Sequence, residues 1–150
     1  MSKKQWGNAC WYLFHTLAEK IKPEYTGDIE LIKNLIINVC FNLPCPICST
    51  HARNNLSKIP TRNITTKEEL KRFLWILHNR VNKQLHKPQL SYEACNRFKY
   101  ARTGRMVEYF KYNMLRYSGQ LRMAITNRNK NMHVKNILNY LYTNAYKFNP

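Results

Sequence analysis

At 150 residues and 44% hydrophobic, the chain is long enough to bury one core and too apolar for the disordered class. Its five cysteines are too few and too unevenly spaced for a disulfide scaffold, and no apolar stretch nears the ~20 residues that cross a bilayer. The formal charge of +17 is lopsided: Met1 to Asn96 carries 14 Lys and Arg against 7 Asp and Glu, while Arg97 to Pro150 carries 11 against 1.

The opening Met1-Ser2-Lys3-Lys4-Gln5-Trp6 lacks the apolar centre of a signal peptide, and Trp6 already opens a folded element, so a soluble protein without a leader is expected. Four glycines and six prolines are sparse, and apolar residues recur at intervals of three and four. The expectation is an all-α fold, a four- to five-helix bundle followed by a basic helical extension, divided at residues 1–96 and 97–150.

Gly7 to Ile21 reads as the first helix, with Gly7, Trp11, Phe14, His15 and Ala18 along one face. Taken alone, Trp11 is a core aromatic and His15 a satisfied core histidine. After the turn residues Lys22 to Gly27, Asp28 is a fitting N-cap for a second helix to about Asn42, with Ile32, Leu35, Ile36, Val39 and Leu43 facing inward. Cys40 belongs to it as a small buried hydrophobe.

Pro44 ends that run and Pro46 suits the first turn of a third helix, Cys45 to about Ser57. The spacing of three brings Cys45, Cys48 and His51 near one another. At a helix start the backbone N–H groups point outward with partial positive charge, which favours a thiolate at Cys45. Thr65 or Thr66, followed by Glu68 and Glu69, starts a fourth helix over about Lys67 to Leu85. Leu70, Phe73, Leu74, Leu77, Val81 and Leu85 form its core stripe. Trp75, His78, Asn79 and Asn82 run beside that stripe as a polar edge. Lys87-Pro88 ends the helix, Ser91 caps another, and Ser118-Gly119 and Val134 to Tyr146 read as a break and a last helix.

A CxxC ahead of a short helix admits a thioredoxin-like redox site, half of a zinc site, or the disulfide of a flavin-linked thiol oxidase. Thioredoxin needs a strand before its cysteines, whereas residues 29–43 have helical period. Zinc would need Cys45, Cys48 and His51 with Cys40 or His78, and no second CxxC or HxxxH completes the set.

The third reading uses residues that the others leave idle. Gly7, Trp11 and His15-Thr16, then Cys45-Pro46-Ile47-Cys48-Ser49-Thr50-His51, then His78-Asn79-Arg80-Val81-Asn82 with Leu85 and Lys87, resemble in order the motifs of the Erv/ALR family of FAD-dependent sulfhydryl oxidases. The resemblance implies a helical bundle that holds FAD beside a Cys45–Cys48 disulfide. It assigns catalysis to Cys45 and Cys48, and FAD contacts to Gly7, Trp11, Tyr12, His15, His51, His78, Asn79, Val81, Asn82 and Lys87. No metal is implied.

The implied reaction takes electrons from protein thiol clients or a small thiol carrier, passes them through the disulfide to FAD, and delivers them to oxygen as hydrogen peroxide. A homodimer is implied as well. Cellular members usually carry a further structural disulfide, for which Cys95 has no downstream partner. The compact form resembles the short versions of large DNA viruses, which implies the host cytoplasm and the virion as settings. In the tail, Arg and Lys alternate with Tyr and Phe as in nucleic-acid binders, but a solvated extension packed on the bundle is the favoured reading. A zinc-stabilised, basic nucleic-acid-binding adaptor is the alternative function.

Overall fold

The computed structural model of the chain describes residues 3–116 and 124–150. Its helices are α1 (Lys3–Lys20), α2 (Ile29–Phe41), α3 (Pro46–Leu56), α4 (Lys67–Gln84), α5 (Thr103–Arg116) and α6 (Ala124–Thr143), with 3-10 segments at Pro23–Asp28, Glu93–Tyr100 and Ala145–Lys147. Among the described residues the extended structure is a single antiparallel bridge between Ile21 and Phe148. The fold is all-α. No described helix is long and apolar enough to cross a membrane.

α1 is the central helix. It packs against α4, α5 and the Glu93–Tyr100 segment, so its buried surface exceeds the one stripe that its sequence suggests: Ala9, Cys10, Leu13 and Leu17 are buried along with Phe14, His15 and Ala18. Each fully buried Leu or Phe contributes roughly 1.5–3 kcal/mol of transfer free energy. α2 lies between α3 and α6 and buries Ile29, Ile32, Ile36 and Val39, with Leu35 and Leu43 only half-buried. Lys33 is buried too, its Nζ donating to the Thr61 carbonyl at 2.6 Å.

The caps follow the sequence at α4, where the Thr66 hydroxyl accepts from the Glu69 N–H at 3.1 Å and the Glu69 carboxylate accepts from the Thr66 N–H at 3.0 Å. At α2 they differ. Asp28 makes no side-chain cap; its Oδ2 instead accepts from Tyr140 and from Lys147, each at 2.7 Å. The segment after Ser91 is 3-10 rather than α-helical, although Ser91 Oγ does accept from the Ala94 N–H at 3.1 Å. Cys95 and Phe98, its buried residues, are three apart, the 3-10 period. The last helix begins earlier than expected and ends at Thr143, and the expected break at Ser118-Gly119 lies outside the described residues.

The core runs on without interruption beyond residue 97. Val107, Phe110 and Met114 of α5, and Val134, Ile137, Leu138 and Leu141 of α6, belong to the same apolar cluster as Phe14, Ile32 and Leu74.

Candidate functional site

The site begins where α2 ends. Pro44 stops the apolar run, Pro46 occupies the first turn of α3, and Cys45 becomes the N-cap residue in extended backbone. One turn later Cys48 faces it, and the two are joined as a disulfide with Cα atoms 5.1 Å apart. The Cys48 N–H donates to Cys45 Sγ at 3.3 Å, so an N–H left unpaired by helix geometry is aimed at that sulfur. Ser49 is buried and its hydroxyl accepts from the Leu43 N–H at 2.8 Å, which fixes the approach into α3.

Beside the disulfide lies a cavity of about 540 Å³ between α1, α3 and α4, within the range of cofactor sites. Cys48 is in its wall; Cys45 is not. Of the residues singled out from the sequence, Gly7, Trp11, His51, Val81 and Lys87 line it with Cys48. A Cβ at Gly7 would meet no atom within 4 Å, so the missing side chain leaves open space. Leu85, expected in the core, is 40% exposed and lines the cavity instead.

The other five predicted site residues stand outside that wall. The Trp11 ring stacks on His78 at 4.0 Å, His78 Nδ1 meets His15 Nε2 at 2.9 Å, and the His15 ring stacks on Phe98 at 4.7 Å. Tyr12 continues the row outward, its ring 6.3 Å from that of Phe98. Burial, its neighbour His78 and the charge of Arg97 push His15 down to about 3; burial, Arg97 and Lys87 push His78 down to about 4. Both imidazoles are neutral at pH 7, one donating to the other.

Asn79 and Asn82 hold the segment after α4. Asn79 Nδ2 donates to the Leu90 carbonyl and its Oδ1 accepts from the Leu90 N–H, both at 2.8 Å, while Asn82 Nδ2 donates to the Pro88 carbonyl at 3.2 Å. His86 sits at φ 57 and the Lys87 N–H donates to the Asn82 carbonyl at 2.8 Å, a left-handed helix stop. That stop brings Lys87 to the cavity.

Sequence reasoning left out Trp6, Cys10 and Cys40 as cavity residues and Arg97 as a charge beside the histidines. The row Trp6, Cys10, Phe14, four apart, was a readable signal for the first two. Arg97 had none, because its proximity to His15 and His78 is made by the tertiary fold. Burial raises the Cys40 thiol to about 12 and, with Cys40 nearby, holds Cys10 well above the usual thiol range; Cys95 is also raised by burial. These three are free, buried and protonated at neutral pH. Among the described residues no three His, Cys, Asp or Glu side chains are grouped as a metal site requires.

The donor set suits a flat aromatic cofactor with an anionic portion. The cavity has apolar walls to which Trp6 and Trp11 contribute, Gly7 opens space, and Lys87 supplies positive charge.

Comparison with known proteins gives a match to the Erv1 / Alr family over residues 8–102. A putative FAD-linked sulfhydryl oxidase of invertebrate iridescent virus 3 is 32% identical over 90 residues, 59% of this chain and 61% of that protein. The FAD-linked sulfhydryl oxidase of an African swine fever virus isolate is 32% identical over 89 residues, 58% of this chain and 73% of that protein. A rice FAD-linked sulfhydryl oxidase is 29% identical over 89 residues, 59% of this chain and 45% of that protein. The chain therefore spans less than two thirds of the iridescent-virus and rice relatives. No solved structure matches it.

Proposed function

The chain belongs to the Erv1 / Alr family, and from that premise we propose that it is an FAD-linked sulfhydryl oxidase that joins client thiols into disulfides through Cys45 and Cys48. The observation that carries the reading is a disulfide with one of its cysteines in the wall of a mostly apolar cavity and the other outside it.

A client thiolate attacks Cys45 Sγ. The client–Cys45 bond forms, the Cys45–Cys48 bond breaks, and the electron pair stays on Cys48 Sγ as a thiolate facing the cavity. A second client thiolate then attacks the mixed disulfide, releasing an oxidised client and the Cys45 thiolate. The N-terminal end of α3 stabilises that anion, through the Cys48 N–H in particular. Bound FAD would supply a two-electron acceptor, so that the Cys45 and Cys48 thiolates could return to the disulfide with oxygen as the final oxidant. His51, one turn beyond Cys48, holds an imidazole in the same wall as a proton relay to the sulfur.

Gly7, Trp11, Val81 and Lys87 take the cofactor directly in this reading: Gly7 by leaving room, Trp11 and Val81 as flat and apolar walls, and Lys87 toward phosphate. His15 and His78 hold Trp11 from behind, Tyr12 extends that stack, and Asn79 and Asn82 fix the turn that carries Lys87. Arg97 adds a second cation. Protein thiols or a small thiol carrier are the substrates, and oxygen the acceptor. The viral relatives favour a host-cytoplasm setting, with the virion as an extension of it. A homodimer would have to use surfaces other than those of α1 and α2 that α5 and α6 cover, which light scattering tests.

The test is the visible spectrum of the purified chain, followed by addition of a dithiol in air with peroxide detection. A flavin spectrum that bleaches and recovers with peroxide release is expected. A colourless protein with stoichiometric zinc would replace this reading with the basic adaptor.

A further inference from the structure

The face formed by α5 and α6 carries chemistry that thiol oxidation does not use. Of the 11 Lys and Arg beyond residue 96, Lys147 is paired with Asp28. Arg105, Lys111 and Arg116 of α5 and Lys135 of α6 are exposed and make no ion pair among the described residues. Glu108 is the one acidic residue beyond residue 96, and it is engaged by the Tyr142 hydroxyl, which donates to it at 2.6 Å. Like charges held together on a folded surface repel one another, so an anionic partner relieves a standing cost.

The second observation is aromatic. Tyr112 is 59% exposed and Tyr142 49% exposed, and each ring has a cation beside it: Arg116 Cζ lies 5.4 Å from the first and Lys111 Nζ 5.7 Å from the second. Lys111 is on α5 and Tyr142 on α6, so the two helices present one continuous face. Exposed rings set among unpaired cations are the combination that holds a single strand, with phosphates on the cations and unstacked bases on the rings.

We propose that the α5–α6 face binds single-stranded nucleic acid, with Arg105, Lys111, Arg116 and Lys135 on the phosphates and Tyr112 and Tyr142 as stacking platforms. An acidic peptide would use the cations and leave the rings idle. A membrane surface would need an apolar face to insert, and the apolar faces of both helices are already buried, through Val107, Phe110 and Met114 and through Ile137, Leu138 and Leu141. α3, which carries the disulfide, packs on α2 and α4, whereas α5 and α6 pack on α1, α2 and each other, so a bound strand leaves the disulfide open to clients.

The test is fluorescence anisotropy of labelled oligothymidylate with the full-length protein across a salt series. Binding should weaken with a log–log slope of about −0.7 for each phosphate neutralised. The triple variant Arg105→Gln, Lys111→Gln, Arg116→Gln should flatten that slope by about 2. Tyr112→Leu and Tyr142→Leu should each weaken binding by roughly five- to hundredfold, with Phe restoring it. Helical circular dichroism and thiol-dependent peroxide release stay at the parent level in the Gln and Phe variants and so control for folding. No binding near physiological salt would overturn the proposal. So would equal competition by polyglutamate with no effect of the Leu variants, which would identify the face as a site for acidic protein.

Discussion

On one side of α1 the chain keeps a cavity open; on the other, α5 lies against it in one apolar cluster. The first side sets Gly7 and Trp11 opposite α3 and α4 around about 540 Å³. The second sets Leu13 and Leu17 in one buried cluster with Phe110 and Met114 of α5, and Phe14 lies between the two sides, lining the cavity while its ring stands 6.5 Å from that of Phe110. The disulfide belongs to the open side, as do Cys10 and Cys40, which line the cavity as free thiols that burial holds protonated. An open apolar cavity forgoes packing that only a ligand restores, so the stability of the open side is linked to its occupant. The packed side supports itself. A helix bundle can thus keep a reactive, ligand-dependent half by bracing it from behind with a half that carries no cysteine beyond Cys95.

The severest test of that division is chemical. Cys48→Ser should lower dithiol-driven peroxide release on the order of 10³-fold or more, while the flavin spectrum persists. Activity surviving that change would remove the redox role from the open side. Phe110→Ala attacks the bracing: with its ring fully buried against Phe14, truncation should cost about 3–5 kcal/mol in denaturant unfolding. A cost under about 1 kcal/mol, the level of a surface change, would make the extension an accessory rather than a brace.

The imidazole pair stands between the halves. His15 and His78, pushed down to about 3 and about 4, take up protons more readily unfolded than folded. Their contribution is therefore whole above the unfolded value near 6.5 and declines as pH falls toward 4. At pH 5 it should have fallen by about 2 kcal/mol for each ring, and a His15→Gln, His78→Gln variant should show a flatter pH dependence of the unfolding midpoint. A parent protein as stable at pH 5 as at pH 7 would contradict the neutral pair. The smallest effect is expected at Cys95→Ser, which should leave peroxide release unchanged and lower stability by about 1 kcal/mol. Complete loss of activity there would give Cys95 a redox part that its burial denies.

Much of this was written locally in the chain. Helical spacing revealed α1 to α4, the capping residues Thr66 and Glu69 marked the start of α4, and Pro44 and Pro46 bracketed Cys45 at the start of α3. These are short-range effects, decided by neighbours three or four residues away. What lay beyond reading came from distant partners. Asp28 looks like a cap, yet Tyr140 and Lys147, more than a hundred residues on, claim its carboxylate. Cys10 has its partner in α5, where Met114 Sδ lies 3.6 Å from its sulfur, 104 residues on. Asn79 and Asn82 were legible as a polar edge, but their grip on Pro88 and Leu90 depends on a loop path that periodicity does not encode.

The clasp at the base of α1 sets a timetable for synthesis. Ile21 bridges to Phe148, the Lys22 N–H donates to the Lys147 carbonyl at 2.9 Å, and the Asn149 N–H donates to the Lys20 carbonyl at 2.8 Å. A ribosome adding ~5–20 residues per second delivers Phe148 roughly 6–25 s after Ile21. Within that interval α1 to α4 are all made before α5 and α6, so the outer faces of α1 and α2 remain uncovered until the later helices follow. The nascent chain thus passes through a sticky stage with its cysteines already assembled, so chaperones and thiols compete for it before its own tail arrives.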